Sequence, residues 1–385
     1  MRGAAARTAL VVGAGVAGLA AACGLSRAGW RVTLLERSDR LRADPTALLL
    51  WPSGVRALDL LGLGDGLAAI TTPVPDAGVR WPDGRWLARP GTRPVEPLLT
   101  HAEDLHDALV AGLGDRVEVR TNVTARPVRG ERPTVTDGRR TWEADLLVAA
   151  DGVDSTLRAV VAPGSGPVPA GATAWRAVIP WFRAPADLAV PVVAQGGGYR
   201  FQAAALGERG AGASGRGGLF WSLTGPGAPR PESPATQLGL LRRWLAGWAA
   251  PVGELLAATE PEDLLQRELR TLRPTPRRLA APVGNGAVVL VGDAAHALPD
   301  HLGQGACLAA EDAAVLAATV RTAAPGPDLH AATAAYDRLR RARVAAVRRR
   351  ARRLAATGPL SGIGAVQARR AAAAAATAAA WRPPG

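Results

Sequence analysis

The chain has 385 residues, 48% of them apolar, which suits a globular protein of one or two domains with a sizeable core. Two cysteines, Cys23 and Cys307, and five scattered histidines exclude a disulfide framework and a metal-ligand cluster. The formal charge of +13 would suit a nucleic-acid partner, but all 46 basic residues are arginine in a chain also rich in Ala, Gly and Pro, so the charge reflects a compositional bias and no nucleic acid is expected.

The stretch "TALVVGAG" predicts a short buried strand from Ala9 to Val12, and "GAGVAGLAAACGLSRAG" predicts a glycine turn and a helix ending near Gly29. Glycines spaced through this region argue against a signal peptide, and no run is long and apolar enough to cross a bilayer. The expected location is therefore the cytoplasm. "WRVTLLER" follows as a second buried strand, which makes a strand–helix–strand unit with a parallel pair and a right-handed crossover.

Next, "SGVRALDLLGLGDGL" predicts one helix with Val55, Leu58 and Leu61 on its apolar face. "VRWPDGRWL" predicts a hairpin around Pro-Asp-Gly, "HAEDLHDALVAGLG" an amphipathic helix, and "VTDGRRTWEADLLVAADG" a hairpin running into a buried strand. From about Pro163 the chain turns loop-rich, with Trp-bearing strands, and loses the strand–helix alternation. This middle section predicts a mainly antiparallel layer inserted into a domain built from discontinuous pieces. The buried-strand pattern returns near Gly286 with "GAVVLVGDAAH", and helices follow to the end. Within "RLRRARVAAVRRRARR", Leu339, Val344 and Val347 are expected on an inner face and the arginines on a solvated one. The Ala-rich tail is expected to form one more helix.

Gly13-Ala14-Gly15-Val16-Ala17-Gly18 is a G-x-G-x-x-G run placed after a strand and at the start of a helix. Its glycines allow a tight turn, backbone approach to a pyrophosphate, and close helix–strand packing, while the helix N-terminus supplies amide donors. Glu36 closes the second strand at about the 20-residue spacing of a ribose-binding carboxylate. The unit therefore points to a dinucleotide. Far downstream, "AVVLV" delivers Gly292-Asp293 at a strand C-terminus, and the helix begun by "GQGACLAAEDA" aims the amides of Gly303 to Ala306 at a second acceptor. A ligand clamped between two helix N-termini is long, and its far end gains from negative charge.

These segments, in this order with "ADLLVAADGVDSTLR" between them, resemble the flavoprotein monooxygenases of the aromatic-hydroxylase type (para-hydroxybenzoate and salicylate hydroxylase-like) over nearly the whole chain. The resemblance implies an α/β fold: a doubly wound, Rossmann-like FAD-binding domain, an inserted mainly antiparallel β substrate domain, and C-terminal helices. Residues 1–72, 98–162 and 281–321 would form the first, 73–97 and 163–280 the second, and 322–385 the last. It implies FAD, with Gly13, Gly15, Val16, Gly18, Glu36 and Arg37 at the adenosine end. Asp293 would take the ribityl chain, and Gly303, Gly305 and Ala306 the flavin N1/O2 edge. Asp151-Gly152 would match an Asp-Gly motif associated with FAD and NAD(P)H, and Arg42 would lie where a flavin-contacting arginine is common. The implied reaction is NAD(P)H-dependent hydroxylation of a small aromatic or polycyclic substrate by O2 through a flavin C4a-hydroperoxide.

Two departures from the family pattern stand out. The family's H-R-A-D-L reads His101-Ala102-Glu103-Asp104-Leu105 here, so an arginine that commonly touches the cofactor is Ala102 unless His101 substitutes for it. The family's proline after "GDAAH" comes one residue early as Pro299, and Asp300 takes its place near the expected flavin C4a. Asp300 is either a catalytic base or part of a tolerated loop variant. These departures keep two alternatives open, an FAD-dependent dehydrogenase or oxidase and a flavin-fold protein with weak or no catalysis. His296 is expected to be a structural hydrogen-bonder, Cys307 a packing residue, and Trp175, Trp181, Phe201 and Trp221 mostly core, with one or two lining a substrate cavity. Nothing in the sequence sets the oligomeric state.

Overall fold

Thr8–Val12 (β1), Leu146–Ala149 and Gly286–Leu290 are apolar runs without alternation, as strands covered on both faces require. In the computed structural model, which describes residues 6–91, 96–207, 216–298 and 303–356, they lie side by side in a six-stranded sheet. Its order is Ala280–Val283, Gly286–Leu290, Leu146–Ala149, β1, Arg31–Leu35 (β2) and Val117–Arg120. Every neighbouring pair is parallel except the outer hairpin of Ala280–Val283 with Gly286–Leu290. The helix Val16–Arg27 (α1) connects β1 to β2 and packs along the helix Gly305–Thr319. Gly24 allows this approach, because a Cβ there would stand 2.7 Å from Leu61 and 2.9 Å from the Ala317 methyl.

The middle of the chain forms a seven-stranded sheet, built mainly of antiparallel pairs around Gly166–Pro180, Gly218–Pro226 and Tyr199–Leu206. The short strands Val79–Arg80 and Trp86–Ala88 join its far edge. One face carries Trp175, Ala177, Ile179, Phe201, Trp221 and Leu223 against the helices Pro234–Trp244 and Val252–Ala258. Phe201 and Trp221 stack at 5.7 Å, and the Trp221 indole N–H donates to Thr259 Oγ1 at 2.8 Å. Trp181 packs against the same core, so all four aromatics singled out from the sequence belong to it. The opposite face carries Val178, Ala204, Leu206 and Phe220, which pack on Ala47, Leu49 and Leu99 of a small sheet formed by Ala47–Leu50, Leu98–His101 and Thr71–Pro73. Phe220, not one of the tryptophans, is the large aromatic on the face toward this small sheet.

Two expectations change. The single helix expected after residue 52 is broken into Pro52–Leu58, a wider turn Asp59–Leu63 and Gly64–Ile70, because Gly62 adopts φ +92°. The missing Cβ at Gly62 also leaves room for the Arg27 guanidinium at the end of α1. In the long helix Pro327–Ala356, Leu339 is 45% exposed, whereas Arg340 is 1% exposed. The inner stripe runs through Tyr336, Arg340, Val344, Val347 and Ala351, at helical spacing one residue out of phase with Leu339. The Ala-rich tail lies outside the described residues.

Candidate cofactor and active site

Four adjacent parallel strands end in the residues named from the sequence. Gly13 follows β1 and donates its N–H to Leu35 O at 2.8 Å, and Glu36 follows β2. Asp151-Gly152 follows Leu146–Ala149, where Ala150 donates to Val12 O at 2.9 Å. Gly292-Asp293 follows Gly286–Leu290, where Val291 donates to Ala149 O at 3.0 Å. Gly303, Gly305 and Ala306 open the helix that lies along α1. The structure thus gathers these positions at one edge of one sheet, where ligands of parallel sheets bind. Arg37 and Arg42 are exposed on the segment that leads from β2 to Ala47–Leu50.

The glycines divide into two kinds. Gly13 has φ +101°, and a Cβ on Gly18 would fall on the Gly13 carbonyl, so these two bring helix and strand together. Gly15 and Gly305 have nothing within 4 Å of where a Cβ would stand, so protein packing does not require glycine there; Gly152 is equally open, though its φ of +80° favours glycine. Those backbones face open space, as surfaces for a close-lying ligand would. Nearby, the buried oxygens Thr46 Oγ1, Asp151 Oδ1 and Gln304 Oε1 have no protein partner. Buried polar atoms are rarely left so. A long, polar, phosphate-bearing cofactor fits this set of open glycines, helix amides and unsatisfied oxygens.

Several residues hold the cradle in place. Glu36 accepts from Ala14 N at 2.8 Å and from Ser38 N at 2.9 Å, which fixes the glycine turn from one side while leaving lone pairs on both oxygens. On the other side the buried His106 ring donates through Nε2 to Ala14 O at 3.2 Å. Arg158, 1% exposed, donates to Ala294 O at 2.8 Å, Val153 O at 2.5 Å and Gly152 O at 3.3 Å. It ties the Asp151-Gly152 turn to the Asp293 turn. Burial lowers its pKa from the usual arginine value, and Asp151, Asp154 and Asp293 work against that. His106 and Arg158 escaped the sequence reading, although Arg158 closes the middle motif; a lone basic residue carries no local sign of burial.

His296 is buried and meets Asp312 Oδ2 at 2.6 Å, which suits a structural hydrogen-bonder. Cys307 packs under Gly54 and accepts from Trp51 N at 3.2 Å, and burial pushes its thiol up to about 12, so it is a packing residue and no thiolate. Among the described residues no group of His, Cys, Asp or Glu could hold a metal ion. Asp300 lies outside the described residues.

His101 is the N-cap of the helix Ala102–Ala111: its Nδ1 accepts from Glu103 N at 3.3 Å. Ala102 is buried and donates its N–H to Thr46 O at 2.7 Å. The ring is thus committed to capping, and burial lowers its pKa below the usual imidazole range, with Asp104 and Glu103 opposing. A base whose folded pKa is depressed contributes stability that is present above its unfolded pKa, about 6.5, and is lost as pH falls below it. Thermal unfolding should therefore shift down between pH 7 and pH 5, and His101→Asn, a capping residue that does not titrate, should flatten that dependence. An unchanged pH slope in His101→Asn would remove His101 from the explanation.

Comparison with known proteins adds to this geometry. A family model described as an FAD binding domain matches residues 6–183 and 255–351. The chain is 31% identical over 352 residues to an FAD-dependent urate hydroxylase of Klebsiella pneumoniae, covering 87% of this chain and 86% of that protein. It is 34% identical over 362 residues to a 3-amino-4-hydroxybenzoate 2-monooxygenase of Streptomyces cremeus, covering 90% and 86%. Among solved structures, a Klebsiella pneumoniae protein complexed with FAD and uric acid superposes with a TM-score of 0.79 at 26% identity, covering 97% and 96%.

Proposed function

The chain belongs to the FAD-binding-domain family of aromatic-hydroxylase-type flavoprotein monooxygenases, and from that membership we propose that it uses NAD(P)H and O2 to hydroxylate a small aromatic or polycyclic substrate. The observation that carries this reading is the alignment of Gly13, Glu36, Asp151 and Asp293 at the ends of four adjacent parallel strands. In this reading Gly13 to Gly18 and the α1 amides hold the pyrophosphate, and Glu36 and Arg37 the adenosine end. Arg42, Asp151 and Gly152 lie along the cofactor, and Asp293 takes the ribityl chain. Gly303, Gly305 and Ala306 face the flavin edge, where a helix N-terminus favours the negative charge of the reduced ring. Bound FAD supplies the transfer of electrons from NAD(P)H to O2 and of one oxygen atom to the substrate.

Sheet register supports a reading of the substrate face. Trp175 and Ala177 point into the core under the helices, so Arg176 between them points to the opposite side. On that side Val178, Phe220 and Ala204 form one cross-strand row, and Arg176, Ser222 and Gln202 form the next. The apolar row packs on the small sheet, and the polar row beside it suits the oxygen or nitrogen substituents of a flat ring. The names of the relatives, which give urate and 3-amino-4-hydroxybenzoate as substrates, support the same class.

Purified protein should be yellow, and a suitable ring compound should accelerate NAD(P)H oxidation and appear in the product with oxygen from 18O2. NAD(P)H oxidation with peroxide but no label in any product would favour an oxidase instead. Asp300 is proposed as a base in this reaction. Asp300→Asn should then slow product formation by about 100-fold, the lower range of general-base effects. Unchanged turnover would make Asp300 a loop variant.

A further inference from the structure

The long helix Pro327–Ala356 sends three polar side chains into the interior beside the Gly292 turn. Tyr336 donates its hydroxyl to Leu290 O at 2.7 Å. Arg340 donates from Nε to Asp312 Oδ1 at 2.6 Å and through its other nitrogens to Glu311 Oε2 at 2.8 Å and Leu308 O at 3.2 Å. Arg343 grips both oxygens of Glu311, at 2.9 and 3.0 Å, and reaches Ser53 Oγ at 3.4 Å. Arg340, Glu311 and Asp312 are each no more than 1% exposed. Two arginines thus face two carboxylates in the interior.

Asp312 is where the cluster meets the site. Its second oxygen accepts from Gly292 N at 2.8 Å and meets His296 Nε2 at 2.6 Å. Burial alone would raise the pKa of this carboxyl, but His296 and Arg340 hold it below the usual carboxylate range. Gly292 has φ +57°, and a Cβ there would stand 2.6 Å from Ala17 in the first turn of α1 and 3.8 Å from Ala309. The turn is therefore wedged between the two helices that open the cofactor site, and a carboxylate sets its amide. Buried ion clusters seldom exceed well-packed apolar side chains in stability, so their presence at this turn calls for a role in geometry.

We propose that Arg340 is a positioning residue of the cofactor site: by fixing Asp312 it sets the Gly292 amide, and with it the turn that presents Asp293 to FAD. This rests on the reading that FAD binds at Asp293. It makes the C-terminal helix part of the cofactor site without touching the cofactor.

The test is FAD titration of apoprotein, read by quenching of flavin fluorescence, together with thermal melting of the same apoprotein. Arg340→Met should raise the Kd for FAD at least about tenfold, the scale typical of outer-shell partners, and Arg340→Lys should recover part of it. Arg341→Met, which breaks only the exposed pair with Asp337, should leave the Kd unchanged. Arg340→Met leaves a buried charge unpaired and can fail to fold, so the double variant Asp312→Asn with Arg340→Met separates the two effects. It should melt nearer to wild type yet still bind FAD weakly. Wild-type affinity in the double variant would overturn the proposal. A wild-type protein that takes up no FAD would overturn the cofactor reading as well.

Discussion

Gly18→Ala should yield a protein that loses both stability and FAD, whereas Gly15→Ala should lose FAD alone. The Cβ added at residue 18 would fall on the carbonyl of Gly13 and reach Ala150 Cβ at 3.2 Å. The first of these is backbone, which no rotamer change can relieve, so α1 must move away from β1. Overpacking of this kind costs about 1–3 kcal/mol, and here it also displaces the helix whose amides line the site. At residue 15 a Cβ meets nothing within 4 Å, so the apoprotein should melt within about 0.5 kcal/mol of wild type, as surface substitutions usually do. Its methyl would stand where the pyrophosphate comes closest, and FAD affinity should fall at least about tenfold, or about 1.4 kcal/mol. Fluorescence titration with FAD and melting of the apoproteins measure both quantities. A Gly15→Ala protein that binds FAD as tightly as wild type would move the pyrophosphate away from this turn.

What could be read from the sequence, and what could not, follows the range of each interaction. The β1–α1–β2 unit is legible because the close approach of Gly18 to the Gly13 carbonyl acts between residues five positions apart, and apolar runs mark the buried strands. The Asp-Gly and Gly-Asp turns are legible as strand ends. The break at Gly62 is not, because a glycine inside a helical pattern does not show whether it will adopt the positive φ it has here. On the last long described helix Val344 and Val347 are inner as expected, but Leu339 stands one residue from the buried position, which Arg340 takes. Arginine counts as a solvated residue in any periodicity, yet Arg340 is buried because Glu311 and Asp312, on a distant helix, match its charge. Likewise Trp221 and Phe220 are adjacent aromatics in one strand. Only the sheet shows that Trp221 faces the helices and Phe220 the small sheet of Ala47–Leu50 and Leu98–His101.

Arg158→Met should weaken both the fold and the cofactor site, because one side chain joins two turns that belong to different strands. Its guanidinium satisfies the carbonyls of Gly152, Val153 and Ala294, and the turns concerned carry Asp151 and Asp293. Methionine fills much of the volume but donates nothing, and each carbonyl left without a donor in the interior costs about 1–3 kcal/mol. After relaxation and water entry a loss of about 3 kcal/mol is expected, at the upper end of ordinary single substitutions. Arg158→Lys should fall between, since one ammonium cannot address three carbonyls that a planar fork reaches together. The neighbouring pair of Arg270 and Asp154 makes a useful contrast. Its side chains are 29% and 64% exposed, so Arg270→Met should cost less than about 1 kcal/mol. If Arg158 sets the spacing between the two turns, Arg158→Met should also raise the Kd for FAD by more than its stability loss alone produces in Arg270→Met. A lowered melting point with unchanged FAD affinity would instead confine Arg158 to holding the loop, and the spacing of Asp151 and Asp293 would then rest on the sheet itself.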